Sequence, residues 1–163
     1  MVSFVQSHRD WAPLVICLLS FGESLVFVSL VLPATVILVG VGGLIGASGL
    51  AFWPNWLAAA LGAFLGDWLS FWLGRHYSYA IAAMWPLSRR PMVLRRGEAF
   101  FRRWGTPGIF LGRFFGPLRC VVPLIAGICG MRWLPFQIAN IASALVWAAG
   151  VLLPGSLAAH LLL

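Results

Sequence analysis

Arg113 and Arg119 lie within the stretch GIFLGRFFGPLRCVVPLIAG, residues 108–127, which otherwise reads as lipid-soluble. A charge at the centre of a bilayer costs roughly 2.5–3.5 kcal/mol on insertion scales, so ionisable groups inside apolar segments point to function first. A guanidinium presents a planar fork of donors that matches the oxygen edges of a phosphate, and lysine matches them less well. Gly116–Pro117 falls between the two arginines and breaks the helix. Such a break is tolerated where the backbone lines a wet cavity, which is where a headgroup could sit. The two arginines are candidate phosphate ligands. Snorkelling to the surface, or ion pairing with Glu23 and Asp67, is the structural alternative.

Glu23 and Asp67 are the only carboxylates placed within apolar segments. Desolvation and a neighbouring arginine pull a carboxyl group in opposite directions, so either acid is a candidate proton-coupling residue. A fixed salt bridge is the alternative for both. Asn140 reads as a supporting polar group that makes a helix–helix hydrogen bond, and Arg75, at a helix end, reads as a topology anchor. The sequence GASG (Gly46–Gly49) fits the motif by which intramembrane serine proteases present a nucleophile, here Ser48. Catalysis there needs a base held in place, and His160 lies in a terminal tail, so an intramembrane hydrolase is the weaker reading and the chain is expected not to be an enzyme. No nucleophile-and-acid set for a phosphatase is apparent. His8, His76 and His160 have no metal-ligand spacing, so no metal and no cofactor is expected, with the proton as coupling ion. Cys17, Cys120 and Cys129 form no CxxC and read as small apolar residues.

These residues need a membrane scaffold. The chain is 61% hydrophobic and 9% charged, with a mean hydropathy of +0.95, far from the composition of a soluble domain. Its 163 residues suffice for one membrane domain of a few spanning segments. The net charge of +7 comes entirely from arginines on the basic side, and Arg89, Arg90, Arg95, Arg96, Arg102 and Arg103 share one polar stretch. Lying between apolar segments, that stretch fits cytoplasmic retention and anionic headgroups, and not nucleic acid. The first apolar region is too long for a signal peptide.

Along the chain, residues 1–10 are a polar lead and residues 11–32 a first spanning helix, interrupted at Gly22–Glu23. Residues 33–53, glycine-rich and opened by Pro33, read as a re-entrant hairpin of two half-helices; Thr35 is a supporting polar residue in it. Residues 55–74 form a second spanning helix. Residues 75–105 are a basic cytoplasmic loop in which VLRRGEAFFRRWG spaces arginines and aromatics like an interfacial helix. Residues 106–131 are a second re-entrant hairpin, broken at Gly116, Pro117 and Pro123. Residues 133–153 form a third spanning helix, and Pro154 starts an apolar tail. Hairpin-then-helix thus occurs twice, over 33–74 and 106–153, entering from opposite sides. The expected fold is all-α: a polytopic membrane protein with two inverted repeats, whose broken segments meet near the midplane, where transporters build sites.

The motif GRFFGPLRCVVPLIAGICGM, followed by FQIANIASALVW, resembles the second-half signature of the DedA family, also called the SNARE-associated or VTT-domain membrane proteins. FGES, the apolar glycine-rich run after Pro33, and LGDWLSFWLGR resemble the first half. The resemblance covers about residues 20–150. It implies movement of lipids across the bacterial inner membrane, with undecaprenyl phosphate or phosphatidylethanolamine as cargo, in dependence on the proton motive force. It also implies Glu23 as an essential membrane acid and Arg113 and Arg119 as an essential pair. A lipid-binding or assembly factor without transport is the other non-enzymatic reading. Many members have Pro–Gly–Glu or Pro–Gly–Asp where this chain has Pro33–Ala34–Thr35, so an acid is missing here. The chain also ends sooner than a typical member, which leads us to expect that a final spanning helix is absent and that a homo-oligomer completes the fold.

Overall fold

The structure, a computed structural model, describes residues 11–25, 51–78, 91–114 and 118–162. Five helices occur among them, with no strand: α1 (Ala12–Ser24), α2 (Phe52–His76), α3 (Pro91–Gly112), α4 (Leu118–Ile128) and α5 (Trp133–Leu162). The first hairpin, with Pro33, Thr35 and Ser48, lies outside the described residues, as do Gly116 and Pro117.

Two helices are long and apolar enough to cross a bilayer, Phe52–His76 and Trp133–Pro154. At 1.5 Å per residue α2 is about 37 Å long, more than the roughly 30 Å hydrocarbon thickness. The side chains of both helices are distributed inside out relative to a soluble protein. Trp53, Leu57, Leu61 and Trp68 of α2 are exposed, as are Leu134, Ile138, Ile141 and Val146 of α5. Asn55, Asp67, Gln137, Asn140 and Ser143 of the same two helices are buried. Exposed apolar side chains along both helices suit contact with lipid. Aromatic residues gather at both ends of α2, Phe52, Trp53 and Trp56 at one and Trp72, His76 and Tyr77 at the other, where interfacial rings belong.

α1 ends at Ser24, where Leu25 turns to extended backbone and donates to the Gly22 carbonyl at 3.1 Å; residues 26–32 of the expected first span lie outside the described residues. Two prolines expected to mark breaks lie inside helices. Pro123 lies inside α4 and does not break it; the residue withholds one N–H from the ladder without ending the helix. Pro154 likewise lies inside α5, which runs on to Leu162.

The chain divides into two compact units, residues 1–66 with 144–163 and residues 67–143. In the first, Ile16 of α1 packs with Ala59, Ala60 and Ala63 of α2 and with Trp147, Ala148 and Leu152 of α5. Gly62 and Gly66 let α2 approach α1 closely: a Cβ on Gly66 would come within 2.7 Å of the Phe21 carbonyl oxygen. Trp56 Nε1 donates to the Leu145 carbonyl at 3.2 Å.

The second unit is built on a stack. Phe71 of α2 and Phe136 of α5 lie 4.0 Å apart with ring planes 14° from parallel, and Ile109, Ala126 and Ala139 pack around them. α3 is two helical arms, since Gly105 (φ 49, ψ −128) interrupts it at a dihedral that favours glycine, and Pro107 begins the second arm, a position that needs no N–H. That arm packs against α4, with Gly112 against Val122. α4 ends in a Schellman motif: Gly130 (φ 69) donates to the Gly127 carbonyl at 3.0 Å and Met131 to the Ala126 carbonyl at 3.1 Å. α4 also crosses α2 at near backbone contact. A Cβ on Gly74 would strike the Leu124 carbonyl, and one on Gly127 would strike the Phe71 carbonyl.

Candidate functional site

The polar centre of the second unit lies one helical turn from the aromatic stack. Asp67 precedes Phe71 by four residues on α2, and Asn140 follows Phe136 by four on α5. Residues so spaced share a helix face, so the stack that sets the α2–α5 register also puts Asp67 and Asn140 on one level. Ser143 sits one further turn along α5.

Arg113, in the turn that follows α3, reaches into this layer and is 4% exposed. Its Nη2 stands 2.6 Å from Asp67 Oδ2. Its Nη1 donates to Ser143 Oγ at 2.8 Å, to the Asn140 carbonyl at 3.1 Å and towards Asn140 Oδ1 at 3.3 Å. Ser143 Oγ donates in turn to the Asn140 carbonyl at 3.1 Å. Two helices thus hold one guanidinium, α2 by charge and α5 by neutral acceptors. A buried pair of this kind is satisfied by geometry, and removing one partner costs about 3–5 kcal/mol because the other charge is left behind.

Arg119 is on the first turn of α4 and is 8% exposed. It lies near enough to Arg113 for their like charges to act on one another, with Cys120 beside them. The two arginines and Asp67 are therefore gathered in one unit. Glu23 belongs to the other, buried on the face of α1 that also carries Ser20 and Ser24. Arg75 Nη1 donates to the Met131 carbonyl at 2.8 Å, tying the end of α2 to the cap of α4.

Sequence reasoning missed Ser143 and Gln137. With its amide oxygen turned toward Trp68 and Trp133, Gln137 accepts from both indoles at 3.1 and 3.2 Å. The available signal was the spacing of Gln137, Asn140 and Ser143, three polar groups at successive turns of an otherwise apolar helix.

A family model described as the VTT domain matches residues 32–157. The inner membrane protein YabI of Escherichia coli is 36% identical over 155 residues, which are 95% of this chain and 61% of that protein. A membrane protein of Buchnera aphidicola subsp. Baizongia pistaciae is 32% identical over 93% of this chain and 59% of its own length. A membrane protein of Synechocystis is 32% identical over 79% of this chain and 60% of its own. The chain spans about three fifths of the length of these relatives. No solved structure matches.

Proposed function

The chain belongs to the VTT-domain (DedA) family of membrane proteins, and from that premise we propose that it moves a phosphate-bearing lipid across the bacterial inner membrane. The observation that carries this reading is the burial of Arg113 and Arg119 together in one unit of an inside-out helical protein. Neither guanidinium can lose its charge in the physiological range, so a buried layer that holds both favours an anion. A phosphate headgroup is an anion whose oxygens fit a guanidinium fork, and α4 adds the positive end of its dipole beside Arg119.

In this reading the second arm of α3 and α4 form a re-entrant hairpin that carries both arginines, and the glycine-rich segment after Pro33 is its inverted counterpart. Glu23 and Asp67 carry the proton that couples movement to the proton motive force. The cargo is undecaprenyl phosphate or a phospholipid such as phosphatidylethanolamine. The arginine-rich stretch faces the cytoplasm, where it meets anionic headgroups.

The test is reconstitution into liposomes that hold a headgroup-labelled lipid and a membrane-impermeant quencher outside, with and without a pH gradient. The wild-type protein is expected to move the label faster than empty liposomes and to respond to the gradient. Arg113→Lys with Arg119→Lys, which keeps the charge and removes the fork, is expected to fall to the rate of empty liposomes. Full movement by that double variant would refute the phosphate grip.

A further inference from the structure

Arg113 already holds an anion. Asp67 Oδ2 occupies Nη2 at 2.6 Å, while Ser143 and Asn140 occupy Nη1 from a different helix. A phosphate brought onto Nη2 beside the carboxylate would set two anions against each other in a buried layer, so docking there favours release of the carboxylate. The neutral acceptors on Nη1 compete with neither. The guanidinium is therefore held from one side and exchangeable on the other.

We infer that Asp67 is a resident stand-in for the phosphate: carboxylate and headgroup take turns on Arg113 Nη2, and Ser143 and Asn140 keep the guanidinium in place during the exchange. The inference rests on the phosphate-transport reading above and adds where the proton goes. A displaced Asp67 stays in the buried layer, 6% exposed, and has given up its contact with Arg113. A carboxylate in that position is relieved by taking a proton from solvent. When the phosphate leaves, the proton leaves and the ion pair re-forms. One proton joins Asp67 for each phosphate docked, and no covalent bond to the lipid forms or breaks.

Among the described residues, Arg119 and Cys120 of α4 are ionisable neighbours of the pair. From α5 Arg113 meets the neutral groups Asn140 and Ser143, and α2 carries no further ionisable side chain between Asp67 and Arg75. Among these only a carboxylate both competes for arginine and accepts a proton in the neutral range.

Titration calorimetry of the full chain in detergent tests this, with dihexanoyl phosphatidylglycerol as ligand. Its phosphodiester carries one charge that does not titrate between pH 5.5 and 8, so a proton taken up belongs to the protein. Measured in two buffers of different ionisation enthalpy, the wild-type protein is expected to take up close to one proton per lipid. Its affinity should rise about tenfold for each pH unit lowered. Asp67→Asn is expected to bind with no proton uptake and no pH dependence. Ser143→Ala is expected to bind about tenfold more weakly with the proton count unchanged, which separates positioning from titration. The wild-type buffer comparison stands without either variant should one fail to fold. Lipid binding with no proton uptake would overturn the exchange and leave the phosphate site standing. Glycerophosphoglycerol, the same phosphodiester without acyl chains, separates the sources: if it alone binds, with proton uptake, the exchange holds and the lipid reading falls. Absence of binding by both ligands would overturn both.

Discussion

Arg113 Nη2 and Asp67 Oδ2 stand 2.6 Å apart with side chains 3% and 9% exposed, an ion pair closed off from solvent. A pair so buried is costly to halve and cheaper to remove whole. Asp67→Ala or Arg113→Ala alone should destabilise the protein by about 3–5 kcal/mol. The double variant should lie closer to the wild type than either single one, since it leaves no buried charge. Thermal unfolding in detergent, followed by loss of monodisperse protein, measures this. Additive losses would mean that the two charges do not depend on each other.

The α2–α4 crossing makes a sharper claim about glycine. Gly127→Ala places a methyl group against the Phe71 carbonyl, where neither partner is a flexible side chain. We expect a loss of about 1–3 kcal/mol, the usual result of overpacking. Gly150→Ala on α5 meets nothing within 4 Å and should be neutral or stabilising by up to about 1 kcal/mol. Equal melting points for the two variants would show that α2 and α4 do not touch as described.

Orientation can be read from Met92, which is 59% exposed on the arginine-bearing arm of α3. Gly97 on the same arm is a poorer probe, since it faces Ile125. In a cysteine-free background, Met92→Cys should resist an impermeant thiol reagent added to intact cells and react once the membrane is opened. Strong labelling of intact cells would invert the proposed topology.

Ser48→Ala separates a transporter from a hydrolase. A small residue replaces a small one, so lipid movement should persist within about twofold, and a fluorophosphonate probe should leave the wild-type serine unmarked. A serine-dependent label at residue 48 would move the function to the enzyme class.

Glu23→Gln removes one titration while keeping shape. Transport should lose its response to a pH gradient, while proton uptake on phosphate binding, assigned to Asp67, should be unchanged. Liposome flux and calorimetry read the two effects separately. A gradient response identical to the wild type would remove Glu23 as a proton carrier.

Much of this was legible in the order of residues alone. Composition and two long apolar runs point to a membrane, because hydrocarbon admits helices only where side chains are apolar and backbone bonds are internal. The motifs around Arg113, Arg119 and Asp67 name the family, and rarity of charge in apolar segments singles out the same three residues together with Glu23. Tertiary structure alone decided which charges meet. A helix address does not say which side chain from another helix arrives at the same level, and here the Phe71–Phe136 stack sets that level. It puts Asp67 beside Arg113 and brings in Ser143, a residue too ordinary to single out by type. Proline misleads for a related reason. Its missing N–H argues for a break at Pro123 and Pro154, yet both helices run through. Local chemistry sets a preference of a few kcal/mol, which the burial of Pro123 in the folded chain outweighs.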